Sequence, residues 1–164
     1  MNLPNKLTIA RIAMIPVYLV FLMVDFGWPW ARLLAAVIFV VASLTDMLDG
    51  KIARKYNIVT NFGKFMDPLA DKLLVCSALV AFIELHQLPA WIVIIIIGRE
   101  FIISGFRLIA ADKGVVIAAG YWGKLKTVVQ MIMIIVLLLN IPIDAFRIVE
   151  QVLIWASLAL TIIS

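Results

Sequence analysis

Cysteine is nearly absent from this chain: Cys76 is alone among 164 residues, inside an apolar run. A disulfide-stapled fold is thereby excluded, and a small buried side chain is the ordinary role of such a residue. Histidine is equally scarce. His86 falls in the turn ELHQLPAW, far from every acidic cluster, and reads as an exposed loop residue rather than a catalyst. Linkers rich in Pro, Gly or Ser, low-complexity segments and internal repeats are missing, so nothing divides the chain into modules. The opening Met-Asn-Leu-Pro-Asn-Lys-Leu-Thr leads into an apolar run without a convincing small-residue cleavage site. It is therefore not expected to be a removable signal peptide.

What is abundant is apolar sequence. Hydrophobic residues make up 65% of the chain and the mean hydropathy is +1.15, against roughly 45–50% apolar residues in a soluble domain. The expectation is one integral membrane domain over residues 1–164. Six spans of about 20 residues each can be drawn: Leu7–Phe26, Trp30–Ala53, Asp67–Leu85, Pro89–Ala110, Ala118–Asn140 and Ala145–Ser164. Backbone polar groups in hydrocarbon demand helices or a closed barrel, and these runs lack alternation. An all-α bundle of six transmembrane helices follows. Pro4 and its polar neighbours suggest a short N-terminal interfacial segment before the first span. Ser164 stops inside an apolar run, so the sixth helix reads as truncated.

Orientation follows from Lys and Arg. With the N-terminus inside, the cytoplasmic side holds Lys6, Arg11, Lys51, Arg54, Lys55, Lys64, Lys72, Arg99, Arg107, Lys113, Lys124 and Lys126, leaving Arg32 and Arg147 outside. Trp28, Trp30 and Trp91 flank span ends on that outer side, as interfacial anchors do. The net charge of +4 suits anionic headgroups. Nucleic-acid binding has little support, because the basic residues are dispersed among spans.

Four aspartates occupy one short window, Asp46-Met-Leu-Asp49-Gly50-Lys-Ile-Ala53-Arg54 followed by Gly63-Lys-Phe-Met-Asp67-Pro-Leu-Ala-Asp71. Helical spacing puts Asp46, Asp49, Gly50 and Ala53 on one face, and Gly63, Asp67 and Asp71 on another. Such a cluster is costly in an apolar chain unless a cation compensates it. Carboxylates select Mg²⁺, Mn²⁺ or Ca²⁺, and the window holds no His or Cys for zinc. The set suits two metals roughly 3.5–4 Å apart, a common device for displacement at phosphorus. Gly50 and Gly63 either let a ligand approach the backbone or permit close helix packing. Arg54 either meets a phosphate or anchors the inner interface. Asp67, with Pro68 behind it, also fits a helix N-cap.

A second polar group interrupts the run IIIIGREFIISGFR with Arg99, Glu100, Ser104 and Arg107. Glu100 and Arg107 share a face, and Arg99 or Arg107 can alternatively form a structural ion pair with Glu100. Downstream, Gly123-Lys124-Leu-Lys126-Thr127 opens the fifth span. Its lysines either snorkel or build, with Arg107, a basic pocket for a phosphorylated substrate. Thr8 and Arg11, at the entry of the first span, are further candidates for a polar site. An acidic cluster in a span can also mark a cation transporter, but those sites lie near midplane in repeated halves.

The acidic window resembles the signature of the CDP-alcohol phosphatidyltransferases, Asp-x2-Asp-Gly-x2-Ala-Arg-x8-Gly-x3-Asp-x3-Asp, with every fixed position matched. The resemblance implies that Asp46, Asp49, Asp67 and Asp71 hold two ions of Mg²⁺ or Mn²⁺, and that Asp71 doubles as the general base. It implies that Gly50, Ala53, Arg54 and Gly63 belong to the CDP-binding surface. The runs NLPNKLTIAR, NFGKFMDPLADKLLV, IIGREFIISGFRL and GKLKT look most like the branch that joins CDP-diacylglycerol to glycerol 3-phosphate. Arg107, Lys124, Lys126 and Arg99 are then acceptor-phosphate ligands, in a homodimeric multi-pass protein of the inner membrane. Cardiolipin- and inositol-phosphate-type acceptors are the alternative. Members usually continue past the sixth span with a charged tail, missing here, which bears on helix-six packing but not on the metal motif. Gly98 stands where a bulkier small residue is common, with little expected effect.

Overall fold

The structure, a computed structural model, describes residues 3–25, 27, 30–55, 61–114 and 120–164; within helices, residues 3–5, 46–55, 61–65 and 112 are described by backbone alone. Among the described residues there are six helices and no strand: α1 (Leu3–Met23), α2 (Ala31–Lys55), α3 (Asn61–Glu84), α4 (Ala90–Asp112), α5 (Tyr121–Leu139) and α6 (Asp144–Ile163). The expected boundaries at Phe26 and Ala118 lie outside the described residues. Lys6–Met23, Tyr121–Leu139 and Asp144–Ile163 are long and apolar enough to cross a membrane, while the apolar part of α2, Ala31–Thr45, is shorter. In α4 the run is interrupted by Arg99, Glu100 and Arg107.

One expectation changes at the helix starts. From Leu3 onward the residues around Pro4 are helical and form the first turn of α1, where a missing N–H breaks no helical bond. α3 begins at Asn61, so Pro68 lies inside it and Asp67 is no N-cap. Proline is tolerated within membrane helices because neighbouring groups can satisfy the freed carbonyl.

The chain divides into two compact units. In the first, α1 buries Thr8, Arg11, Ile15, Tyr18 and Leu22, a stripe at steps of three and four that follows the helical period. α2 answers with Ala31, Ala35, Phe39 and Ala42, and α3 with Ala70, Leu74, Ala78 and Ala81. Small residues at these contacts let helix backbones approach closely, which matters where lipid offers no hydrophobic drive to association. Tyr18 stands edge-on to Phe39 with ring centroids 5.8 Å apart. Its hydroxyl donates to the Leu74 carbonyl at 3.2 Å and lies 2.5 Å from Ser77 Oγ. Thr8 meets Asp67 and Tyr18 meets Leu74, so α1 and α3 run parallel and α2 returns between them in chain order.

The second unit contains α4, α5 up to Leu137 and α6. Trp91 of α4 packs on Trp155 of α6 at 6.2 Å, and Arg99 Nη2 donates to Ser164 Oγ at 2.7 Å. Those two contacts make α4 and α6 parallel. α5 runs the other way, since Gln87 Nε2 reaches the Leu137 carbonyl at 3.2 Å while Glu100 meets Lys126. The turn before α4 is a Schellman closure: the His86 N–H bonds Ile83 O and the Gln87 N–H bonds Phe82 O, with His86 left-handed at φ 57° and Pro89 just beyond. His86 is exposed, as expected of a turn residue.

Outward faces in both units are apolar: Val17, Val20, Val37 and Val41 in the first, and Ile94, Ile102, Phe106, Ile148 and Val152 in the second are all exposed. Surfaces of that kind fit acyl chains rather than water.

Candidate active site

Asp46, Asp49, Gly50, Ala53 and Arg54 lie on the last turns of α2, and Gly63, Asp67 and Asp71 on the first turns of α3. Because α2 runs back toward the end where α1 starts, and α3 departs from it, the backbone delivers both halves of the motif to one end of this unit. Positions 46, 49 and 53 continue the spacing of the α2 stripe Ala35, Phe39, Ala42. Asp46, Asp49, Gly50, Ala53, Arg54 and Gly63 lie outside the residues whose side chains are described.

Asp67 and Asp71, one helical turn apart on α3, are both partly buried. Thr8 Oγ1 donates to Asp67 Oδ1 at 2.5 Å, from a fully buried position on α1. Arg11, the next residue of the same stripe, is also fully buried. The buried face of α1 therefore changes character along its length, apolar at Ile15, Tyr18 and Leu22 and polar at Thr8 and Arg11. Among the described residues no three His, Cys, Asp or Glu side chains converge, and Asp67 and Asp71 are the members of the quartet in that set. The donors present, carboxylate oxygens with a hydroxyl behind one of them, fit a hard divalent cation.

The second unit holds a cavity of about 310 Å³ lined by Arg99, Glu100, Arg107, Gly123, Lys124, Thr127 and Val128. Arg107, Lys124 and Arg99 thus meet at one place, brought there by the C-terminal half of α4 and the first turns of α5. Arg99 Nε and Arg107 Nε are buried and make no hydrogen bond among the described residues. With three cations and one carboxylate on its wall, the cavity is suited to a phosphate, to which guanidinium groups present a matching fork of donors.

Lys126 is placed differently. It is buried and forms an ion pair with Glu100, while Arg99 Nη1 lies 3.6 Å from the same Glu100 oxygen. It does not line the cavity. Gly123 and Thr127, quoted within the GKLKT run but given no role of their own, do line it; their i, i+4 spacing with Lys124 beside them was the available signal. The Thr127 hydroxyl donates to the Gly123 carbonyl at 3.0 Å. A Cβ at Gly98 would meet nothing within 4 Å, so a bulkier small residue has room there.

Comparison with known proteins agrees with the motif. The family model described as CDP-alcohol phosphatidyltransferase matches residues 1–163. The CDP-diacylglycerol--glycerol-3-phosphate 3-phosphatidyltransferase of Bacillus subtilis (strain 168) is 46% identical, over 99% of this chain and 91% of the relative. The protein of the same name from Rickettsia bellii is 42% identical over 99% of this chain and 91% of its own length. That of Pseudomonas fluorescens is 36% identical over 89% of this chain and 76% of its own length. With nearly all of its length matched and every fixed motif position present, the chain belongs to the CDP-alcohol phosphatidyltransferase family.

Proposed function

We propose that the chain acts as a single membrane domain that transfers the phosphatidyl group of CDP-diacylglycerol to glycerol 3-phosphate, giving phosphatidylglycerol phosphate and CMP. The observation that carries the acceptor is the cavity walled by Arg99, Arg107 and Lys124; the names of the full-length relatives support the same pair of substrates. A cationic cavity favours a phosphorylated acceptor over an uncharged or zwitterionic one such as serine.

Asp46, Asp49, Asp67 and Asp71 would hold two divalent ions, Mg²⁺ or Mn²⁺. When bound, such ions neutralise charge on the bridging and leaving oxygens of a diphosphate. Gly50, Ala53, Arg54 and Gly63 form the surface for the cytidine diphosphate. Arg107, Lys124 and Arg99 grip the acceptor phosphate, with Lys126 set behind them. Asp71 takes the proton of the acceptor hydroxyl as its oxygen attacks the β-phosphorus. The bond from that phosphorus to the bridging oxygen breaks, and CMP leaves.

All six helices cross the membrane in this reading, with the N-terminus and the reacting groups at the cytoplasmic face of the inner membrane. The Lys and Arg distribution supports that orientation, and the exposed apolar residues of both units support immersion. The working form is a homodimer. The test is direct: purified protein is incubated in detergent with CDP-diacylglycerol, labelled glycerol 3-phosphate and Mg²⁺, beside parallel reactions with inositol phosphate, phosphatidylglycerol and serine. CMP release with glycerol 3-phosphate alone is expected. Release only with another acceptor would reassign the substrate, and no release with any would overturn the reading.

A further inference from the structure

The hydroxyls along these helices mostly serve their own backbone. Thr45, Thr127 and Thr161 each donate to the carbonyl four residues earlier, at 2.7, 3.0 and 2.7 Å. Thr8 reaches another helix. Its Oγ1 donates to Asp67 Oδ1 at 2.5 Å across a sequence separation of 59, and the residue is fully buried on the stripe that α1 turns toward α3. A hydroxyl in that position does something packing alone does not require. It limits rotation of the Asp67 carboxylate and leaves one oxygen committed, so the carboxylate is held in a single orientation.

We propose that Thr8 is a positioning residue for Asp67, aligning that carboxylate for a divalent cation. The proposal rests on the reading of Asp67 as a metal ligand and extends it to α1. Groups that orient a ligand from behind typically change metal affinity about 10- to 100-fold when removed. Thr8→Val keeps the shape of the side chain and removes the donor; Thr8→Ser keeps the donor.

The experiment is Mn²⁺ binding to the full chain in detergent, read by the electron paramagnetic resonance of free Mn²⁺, with thermal unfolding recorded for each variant. Expected results are a Kd raised about tenfold in Thr8→Val, near-native binding in Thr8→Ser, and unfolding temperatures that do not follow the same order. If Thr8→Val does not fold, Thr8→Ala is read in its place. Native affinity in Thr8→Val while Asp67→Asn loses binding would overturn the role of Thr8 and leave the metal reading standing. Equal losses in Thr8→Val and Thr8→Ser would also overturn it, because the hydroxyl would then be irrelevant. If neither the unsubstituted chain nor Asp67→Asn binds Mn²⁺, the metal reading falls and the proposal falls with it.

Discussion

Glu100 of α4 and Lys126 of α5 form an ion pair across the contact between those helices, with Lys126 almost fully buried. Arg99 leans on the same carboxylate from within α4. One acid thus serves two cations, and the arrangement separates the lysine that holds the helices from the lysine that opens onto the cavity.

Lys126→Met should therefore act on stability. Removing one partner of a buried pair typically costs about 3–5 kcal/mol; with Glu100 a quarter exposed and Arg99 beside it, about 2–3 kcal/mol is expected here. Thermal unfolding in detergent should show the loss, and Glu100→Gln combined with Lys126→Met should recover most of it. A large rise in acceptor KM with unchanged stability would instead make Lys126 a phosphate ligand.

Lys124 lines the cavity and is exposed. Lys124→Ala should remove one charge-assisted contact, worth about 1.5–3 kcal/mol. That corresponds to roughly a 10- to 100-fold rise in the KM for glycerol 3-phosphate, with the KM for CDP-diacylglycerol almost unmoved. Equal changes in both would count against a separate acceptor pocket.

Asp71→Asn should abolish turnover while CDP-diacylglycerol binding remains measurable by titration. A general base contributes typically 10²–10⁴-fold, so residual activity within tenfold of the parent would remove Asp71 from that role.

Tyr18→Phe deletes the hydroxyl shared by Leu74 and Ser77 but spares the edge-on contact with Phe39. Ser77 keeps its own bond to the Leu74 carbonyl at 2.9 Å. The expected loss is therefore about 0.6–1.5 kcal/mol, visible as a lower unfolding temperature with both KM values unchanged. A change in catalysis would mean that Tyr18 couples to the reacting groups.

How much of this was legible beforehand depends on the range of the interaction. The acidic motif and the helical registers were readable because both are local: Asp46 and Asp49 step along α2, and Asp67 and Asp71 step along α3, at the period of the helix itself. The third span was drawn from Asp67, inside α3, because Pro68 signals a beginning by local rules, and membrane helices tolerate proline inside. The sorting of Lys124 from Lys126 was not legible. Residues two apart point in different directions on a helix, but which direction meets Glu100 is decided by how α5 lies on α4. The reach of Thr8 to Asp67 is of the same kind, a contact between residues 59 apart that no spacing rule announces.

The alanines on the buried face of α2 leave almost no padding around its main chain. Ala35 and Ala42 have no exposed surface at all. A bulkier residue there would act as a wedge within this unit, and α1, which packs on α2 and carries Thr8, would have to give way. The contact of one hydroxyl with one carboxylate would then be disturbed from methyl groups several turns away.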